Sequence, residues 1–230
     1  MKLLSRALWP CLMLVEACGQ QKFPNYNESP EPQKQEEQGA YQVKLSSINP
    51  RITGKLSGGG YLHARLNQFY SRIGLRSSSV GVIHRQFIHT GDRCPGPASD
   101  RNDDGVIDFE EALATSGKML IPLDSDVSAQ ELGNEYPSIK EDGLYQYSEA
   151  APLDQMLEDL RSEDLDPEDN LVKLGRGEEL DLETRTVIIY GVSENRPLPA
   201  SVFSFENEPA GDWIPIACGK LGKGEPEELL

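Results

Sequence analysis

The chain has 230 residues, of which 37% are hydrophobic and only 7% aromatic, and these values suit one substantial folded domain with appended segments. Its 38 acidic residues outnumber its 22 basic residues, which gives a formal net charge of −16. A field of this sign repels nucleic acid and acidic membrane surfaces, so we expect small cations to be the favoured charged partners.

The first 17 residues have the features of an export signal: a basic start, a short apolar run and the small residue Ala17 before a cleavage site. The run LVEACG, residues 14–19, resembles a bacterial lipoprotein signal, in which Cys18 would be lipidated. The alternative is an ordinary secretory signal cut at the same bond. No other segment is long and apolar enough for a membrane span, so any membrane attachment would be through the lipid. We expect the protein at a bacterial cell envelope, facing the periplasm or the exterior, or otherwise secreted.

Residues 18–39 are rich in Gln, Glu and Pro and offer little to bury, so they are expected to form a disordered tether. The acidic stretch 224–230 is expected to be a frayed tail. The folded domain is therefore predicted to span residues 40–223.

Within this domain the apolar pattern is mostly that of strands. Short runs, several of them alternating, are separated by Gly, Pro, Ser and Asn: YQVKLSSI, GYLHARLNQ, FYSRIGLRS, VGVIHRQFIH, KMLIPL, LYQYSE, TRTVIIYGV and WIPIACG. The glycines of SGGGY, residues 57–61, are interpreted as a turn. The pattern predicts an all-β fold, a Greek-key sandwich or barrel of about eight strands.

Two segments have helical periodicity. DFEEALATSG begins at Asp108, and PLDQMLEDLRS follows with an apolar stripe at Leu153, Met156, Leu157 and Leu160. The stripe favours docking on the sandwich over binding a partner. We expect both helices to be short insertions between strands.

The expected state of the cysteines follows from the predicted export. Cys11 lies in the signal and Cys18 would carry lipid, which leaves Cys94 and Cys218 as one pair in an oxidising compartment. We expect a disulfide between them; two buried free thiols are the alternative.

The most specific local pattern is DRNDDGVIDFEE, residues 100–111, which matches the EF-hand calcium loop at every defined position. Gly105 would take the sharp turn. The predicted ligands are side-chain oxygens of Asp100, Asn102 and Asp104, the carbonyl of Val106, Asp108 through water, and both oxygens of Glu111. A solvated acidic turn is the alternative.

The residues before this loop, CPGPAS, cannot form an entering helix because they contain two prolines. The helix pair of a cytosolic calcium sensor is therefore missing, and only the exiting helix remains. We interpret the loop as a structural clip.

The arrangement of HRQFIHTGDRC, TRTVIIYGV and IPIACG resembles the copper/zinc superoxide dismutase family. The resemblance covers roughly residues 41–220 and implies a sandwich in which Cys94 and Cys218 take the places of the family's disulfide cysteines. It also implies a structural role for His84 and a copper-ligand position for His89.

Most of the catalytic residues that the resemblance implies are missing. Phe87 and Tyr190 stand where two copper ligands belong, no histidine follows His89, and Pro215 replaces an arginine. Residues 84 and 89 also face opposite sides of a regular strand, so these two histidines are not expected to chelate one ion. His63 could join His89 only if their strands meet.

The sequence thus predicts an exported, lipid-anchored calcium-binding β-sandwich with a structural or binding role at the envelope, for an unidentified partner. No catalytic residue is assigned, and we favour a protein that is not an enzyme. The alternative is a copper-binding or dismutase-like redox protein that uses His89, with His63 and Tyr190 as further candidates.

Overall fold

A computed structural model of the chain describes residues 39–76, 81–132, 135–162, 171–203, 205 and 208–224. The predicted signal 1–17, the tail after Gly224 and all of the tether except Gly39 lie outside these residues. Gly39, assigned to the tether, is the first residue of a strand. No helix in the described ranges is both long and apolar enough to cross a membrane.

The described residues contain eight strands and three α-helices. The strands are β1 (Gly39–Ser47), β2 (Ser57–Arg65), β3 (Gln68–Arg76), β4 (Gln86–His89), β5 (Met119–Pro122), β6 (Leu144–Pro152), β7 (Thr186–Tyr190) and β8 (Pro215–Lys223). The helices are α1 (Pro50–Thr53), α2 (Phe109–Ser116) and α3 (Leu153–Leu160), and single 3-10 turns occur at Pro97–Ser99, Leu182–Thr184 and Ala210–Trp213. The predicted all-β class, with about eight strands and short helical insertions, is confirmed.

All eight strands form one antiparallel sheet in the order β5-β4-β7-β8-β1-β2-β3-β6. One buried cluster draws apolar side chains from every strand, among them Val43, Leu62, Ile73, Tyr145 and Ile189. The sheet therefore curls around this core, and its two halves face each other as in a sandwich.

The interpretation of SGGGY as a turn was wrong, because Ser57–Tyr61 are part of β2. Two of the glycines are needed by the packing of the strand. A Cβ at Gly58 would lie 2.2 Å from the carbonyl oxygen of Gly74, and one at Gly60 would lie 2.9 Å from Cγ1 of Val43. Glycine in a strand can mark a close approach of this kind as well as a turn.

A second apolar cluster lies on the outer face of β4, β7 and β8. Phe87, Ile188, Tyr190 and Cys218 extend from these strands, whereas their neighbours Ile88, Val187 and Ile189 belong to the inner core. The outer cluster is covered by residues of α2 and of the segment before β8, namely Phe109, Phe205 and Trp213. These three strands are consequently buried on both faces, which explains their nearly continuous apolar sequences.

Candidate metal centre

The loop formed by residues 100–111 leads directly into α2. Asp108 is the N-cap of the helix: its Oδ1 accepts the N–H of Glu111 at 3.0 Å, and Glu111 Oε2 accepts the N–H of Asp108 at 3.1 Å. This reciprocal pair is a capping box. Gly105 has a φ of 86°, the left-handed conformation expected at the sharp turn of the loop.

The oxygens named by the calcium pattern turn back onto the backbone of the loop. Asp100 Oδ2 accepts the N–H of Gly105 at 2.9 Å, Asn102 Oδ1 that of Asp104 at 3.0 Å, and Asp104 Oδ1 that of Val106 at 2.8 Å. At the other end, Glu111 Oε1 accepts the N–H of Arg101 at 2.6 Å. The last residue of the loop therefore reaches the residue that follows Asp100.

In this conformation no three His, Cys, Asp or Glu side chains of the described ranges converge closely enough to hold a metal ion. The donor set still suits a hard cation, because it consists of carboxylate, amide and carbonyl oxygens in one short loop. The carboxylates at Asp100, Asp104 and Glu111 accept backbone N–H groups of the same loop.

Asn49 fixes the middle of the loop, although no sequence motif marks it as part of the site. Its Oδ1 accepts the N–H of Ile107 at 2.9 Å, and its Nδ2 donates to the carbonyls of Ile107 at 2.8 Å and Pro215 at 2.9 Å. Asn49 is 5% exposed, just before α1. A side-chain amide offers a donor and an acceptor side by side, as a neighbouring peptide group does. Asn49 thereby joins the loop 100–111 to the first residue of β8.

The loop also holds the segment that covers the outer apolar cluster. Ser201 Oγ donates to Asp104 Oδ2 at 2.5 Å, and the N–H of Phe203 donates to Asp108 Oδ2 at 2.9 Å. Burial opposes ionisation of Asp104, but hydrogen bonds from Ser201, the Val106 N–H and Asn102 outweigh it and lower the pKa of this carboxyl. Its charged form is therefore the one that the loop stabilises.

The Phe109 ring, on the first residue of α2, packs with Trp213 and Phe205 at centroid distances of 5.0 and 5.2 Å. The helix that follows the loop therefore contributes directly to the cover of the outer cluster.

Beneath this cover lies His89, whose two ring nitrogens both have partners. Nδ1 is 2.9 Å from the carbonyl oxygen of Gly117, which can only accept, so Nδ1 carries the proton. Nε2 therefore accepts the hydroxyl of Tyr190 at 3.0 Å. Burial lowers the pKa of His89 to about 4, although the bond to the Gly117 carbonyl acts in the opposite direction. The side chain is neutral, buried and fully hydrogen-bonded.

His84 lies two residues before β4 and packs against the inner core, away from His89. Its ring packs edge-on against Tyr145 of the inner core at 5.7 Å, and its Nδ1 donates to the carbonyl of Tyr190 at 2.8 Å. Burial lowers its pKa as well, despite that hydrogen bond. His63 lies on β2, and β7, β8 and β1 separate its strand from that of His89. The structure therefore does not bring the three histidines together.

These contacts do not fit a copper site. Redox cycling of copper in proteins requires imidazole nitrogens free to bind the metal. The nitrogens of His89 are engaged by Gly117 and Tyr190, and the ring of Phe87 fills the same face of β4 at 6.4 Å from that of His89.

The expected disulfide joins Cys94 to Cys218 of β8, with a Cα–Cα distance of 5.7 Å. It anchors the chain six residues before the loop begins. The two ends of the segment from 94 to 111 are thus held by a covalent bond and by a helix.

No family model matches the chain, and no curated protein matches its sequence. Among solved structures, it is similar to a Cu/Zn superoxide dismutase from Brucella abortus, with a TM-score of 0.41 and 19% identity over 79% of this chain and 98% of the other.

Proposed function

We propose that the protein is an exported, lipid-anchored calcium-binding β-sandwich with a structural or binding role at the cell envelope. In this proposal Ca²⁺ binds the loop 100–111 and fastens the segment that covers the outer face of β4, β7 and β8. The observation that carries the proposal is the loop itself: it matches the calcium pattern at every defined position and is joined to the fold through Asn49, Ser201 and Phe203.

The negative charge of the loop favours binding of a divalent cation. Six carboxylates and a single basic side chain, Arg101, occur within residues 100–111. Their mutual repulsion is relieved when a divalent cation binds. The ligands would be side-chain oxygens of Asp100, Asn102, Asp104 and Glu111, the carbonyl of Val106, and Asp108 through water. Because Glu111 already spans the loop to Arg101, binding calls for rotation of side chains and not for a new backbone path.

Loops of this type in extracellular modules bind calcium with dissociation constants on the order of 0.1 to 1 mM. Calcium that binds such a site only in the folded protein stabilises the folded form. The proposal includes no catalytic step, since the histidine that a copper enzyme would need is committed to Gly117 and Tyr190.

Calcium-dependent melting tests the proposal. Protein at a calcium concentration about 100 times the dissociation constant should gain roughly 2.7 kcal/mol over protein in chelator. The double variant Asp100→Ala/Glu111→Gln should show no calcium-dependent change. Glu110→Gln is the matched control, because this neighbouring carboxylate is exposed and lies outside the pattern, and it should respond like wild type.

The quantity to compare is the melting temperature in calcium minus the melting temperature in chelator. Glu111 also caps α2, so its loss lowers the stability of the protein in both solutions. Identical melting of the wild type with and without calcium would refute the clip. One equivalent of copper in protein purified without chelator would favour the redox alternative.

A further inference from the structure

The outer face of β1, β2, β3 and β6 has a charge opposite to that of the whole molecule. On β3, Ile73 and Leu75 point into the core, so Arg72, Gly74 and Arg76 point outward. The same alternation places Lys44 of β1 and Arg65 of β2 on this face. No outward position of these four strands, all of which the structure describes, is acidic, although the chain has 38 acidic residues.

A trough crosses this face at right angles to the strands. The pairing register aligns Lys44, Gly59, Gly74 and Gln146 in one row across the four strands. At a strand spacing of about 4.8 Å the row is roughly 14 Å long. Arg72 and Arg76 flank Gly74 on either side, because they precede and follow it by two residues on the same strand. We call this feature the Gly74 trough.

The packing of the fold does not require glycine at position 74. Gly74 is not among the residues with positive φ, and the nearest atom to a Cβ placed there would be the carbonyl oxygen of Tyr145, at 3.9 Å. Glycine in the interior of a strand weakens it, and it can mark a site where a ligand approaches the backbone. Gly60 of the adjacent strand is different, because its Cβ would collide with Val43. What Gly74 provides is open space between two arginines.

The cations around the trough are available to a ligand. Lys44, Arg72 and Arg76 are exposed. Within the described part of the chain none of the three forms an ion pair or a side-chain hydrogen bond, whereas Arg85 pairs with Glu208 and Arg185 with Glu178.

The hollow over Gly74 is lined by Arg72 and Arg76, with Ser57 and Gln146 as further polar groups, and has a volume of about 40 Å³. At roughly 10 to 15 Å³ for each water molecule, it has room for about three waters and therefore for a small polar group.

We propose that the Gly74 trough binds a carboxylate group. A carboxylate is small enough for this hollow. The guanidinium of one arginine can donate two parallel hydrogen bonds to its two oxygens, and the other arginine can donate to the lone pairs that remain. Lys44 adds a further positive charge at one end of the row, where it would attract a second anionic group of the same ligand. The site is independent of the calcium loop, which lies against β4, β7 and β8.

Titration of the ¹⁵N-labelled full chain with succinate at low ionic strength tests the site. Succinate should shift the amide resonance of Gly74 and the Nε–H resonances of Arg72 and Arg76, with a dissociation constant on the order of millimolar. Gly74→Val should weaken binding by roughly tenfold or more, because the side chain fills the hollow while the charge stays the same. Valine suits a strand, so this variant is expected to fold.

Arg72→Gln/Arg76→Gln should also abolish the shifts. The control Arg176→Gln/Arg196→Gln removes the same charge from two exposed arginines outside the four strands and should bind like wild type. If Gly74→Val binds as tightly as wild type, the attraction is diffuse and the proposed site is wrong. Shifts with inorganic phosphate and none with succinate would overturn the choice of carboxylate, and no shifts with either would overturn the site. Repeating the titration in Asp100→Ala/Glu111→Gln separates this result from any failure of the calcium proposal.

Discussion

Tyr190 connects two histidines that lie on opposite faces of the sheet. Its hydroxyl donates to Nε2 of His89 at 3.0 Å, and its main-chain carbonyl accepts from Nδ1 of His84 at 2.8 Å. One residue of β7 therefore gives each histidine a hydrogen-bond partner, and burial lowers the pKa of both rings.

Tyr190→Phe should destabilise the protein by about 1 to 3 kcal/mol, because Nε2 of His89 loses its donor while it remains buried. Tyr145→Phe is the matched control. Tyr145 is equally buried, but its hydroxyl has no hydrogen-bond partner in the described part of the chain, so its removal should be neutral or stabilising. Urea unfolding of both variants gives the comparison. Equal losses in the two would show that the contact with His89 contributes nothing.

Stability should fall as the pH is lowered from about 6.5 towards 4. The pKa of His89 is about 4 in the folded protein and 6.5 in its reference state, so the unfolded chain takes up a proton first. The stability present above pH 6.5 is then lost through this window, by on the order of 3 kcal/mol for this residue.

Comparison of the unfolding free energies of wild type and His89→Gln between pH 7 and 4.5 isolates this contribution, since their carboxylates are the same. Parallel profiles would contradict it. The ring proton resonances of His89 should titrate near pH 4 for as long as the protein stays folded.

Asn49→Ala should cost about 1 to 3 kcal/mol, because it leaves the buried N–H of Ile107 without an acceptor. It should also weaken calcium binding, since the middle of the loop is no longer held. Asn195→Ala, at an exposed position, is the control. Calorimetric titration with calcium in both variants measures the effect, and an unchanged affinity in Asn49→Ala would show that the loop does not depend on this anchor.

Cys94→Ser/Cys218→Ser should lower the free energy of unfolding by up to about 4 to 5 kcal/mol. The disulfide closes a loop with a sequence separation of 124 residues. Its loss increases the conformational entropy of the unfolded chain, which favours unfolding. Denaturant unfolding of the double variant, with and without calcium, provides the measurement. A loss below about 1 kcal/mol would show that the cross-link constrains the unfolded state very little.

Cys18→Ser should release the protein from membranes into the soluble fraction, because the lipid would have no attachment point. Cys11→Ser, in the predicted signal, is the control and should leave the distribution unchanged. Membrane association of Cys18→Ser equal to that of wild type would contradict the lipid anchor.

The sequence pattern predicted most of the strands, because the alternation of apolar and polar residues along a strand is a local feature. FYSRIGLR became β3 with Phe69, Ile73 and Leu75 inward, and all eight predicted strands are present. The strand ends differ more from the prediction: only the last four residues of VGVIHRQFIH form β4. Pairing partners, and not the local sequence, determine where a strand ends. The glycines of β2 were misread for the same reason, since the contacts that require them come from other strands.

The candidate site was predictable only where its residues follow one another. The calcium pattern and the cap at Asp108 lie in one stretch. His84 and His89 contact different clusters, as expected, although His84 lies two residues before β4 and not on it. Asn49 and Ser201 reach the loop across 58 and 97 residues of sequence. Neither carries a local signal, because a lone Asn or Ser in a polar stretch is usually solvated.

The N–H of Gly224 donates to the carbonyl of Ala40 at 3.1 Å, so the start of β1 and the last described residue meet at one corner of the sheet. A short peptide could join these two points without disturbing a strand. New termini could then be opened at the exposed turn formed by residues 194–196, which would yield a circular permutant with every strand pairing preserved. The order of the strands along the gene is therefore separable from the order in which they lie in the sheet.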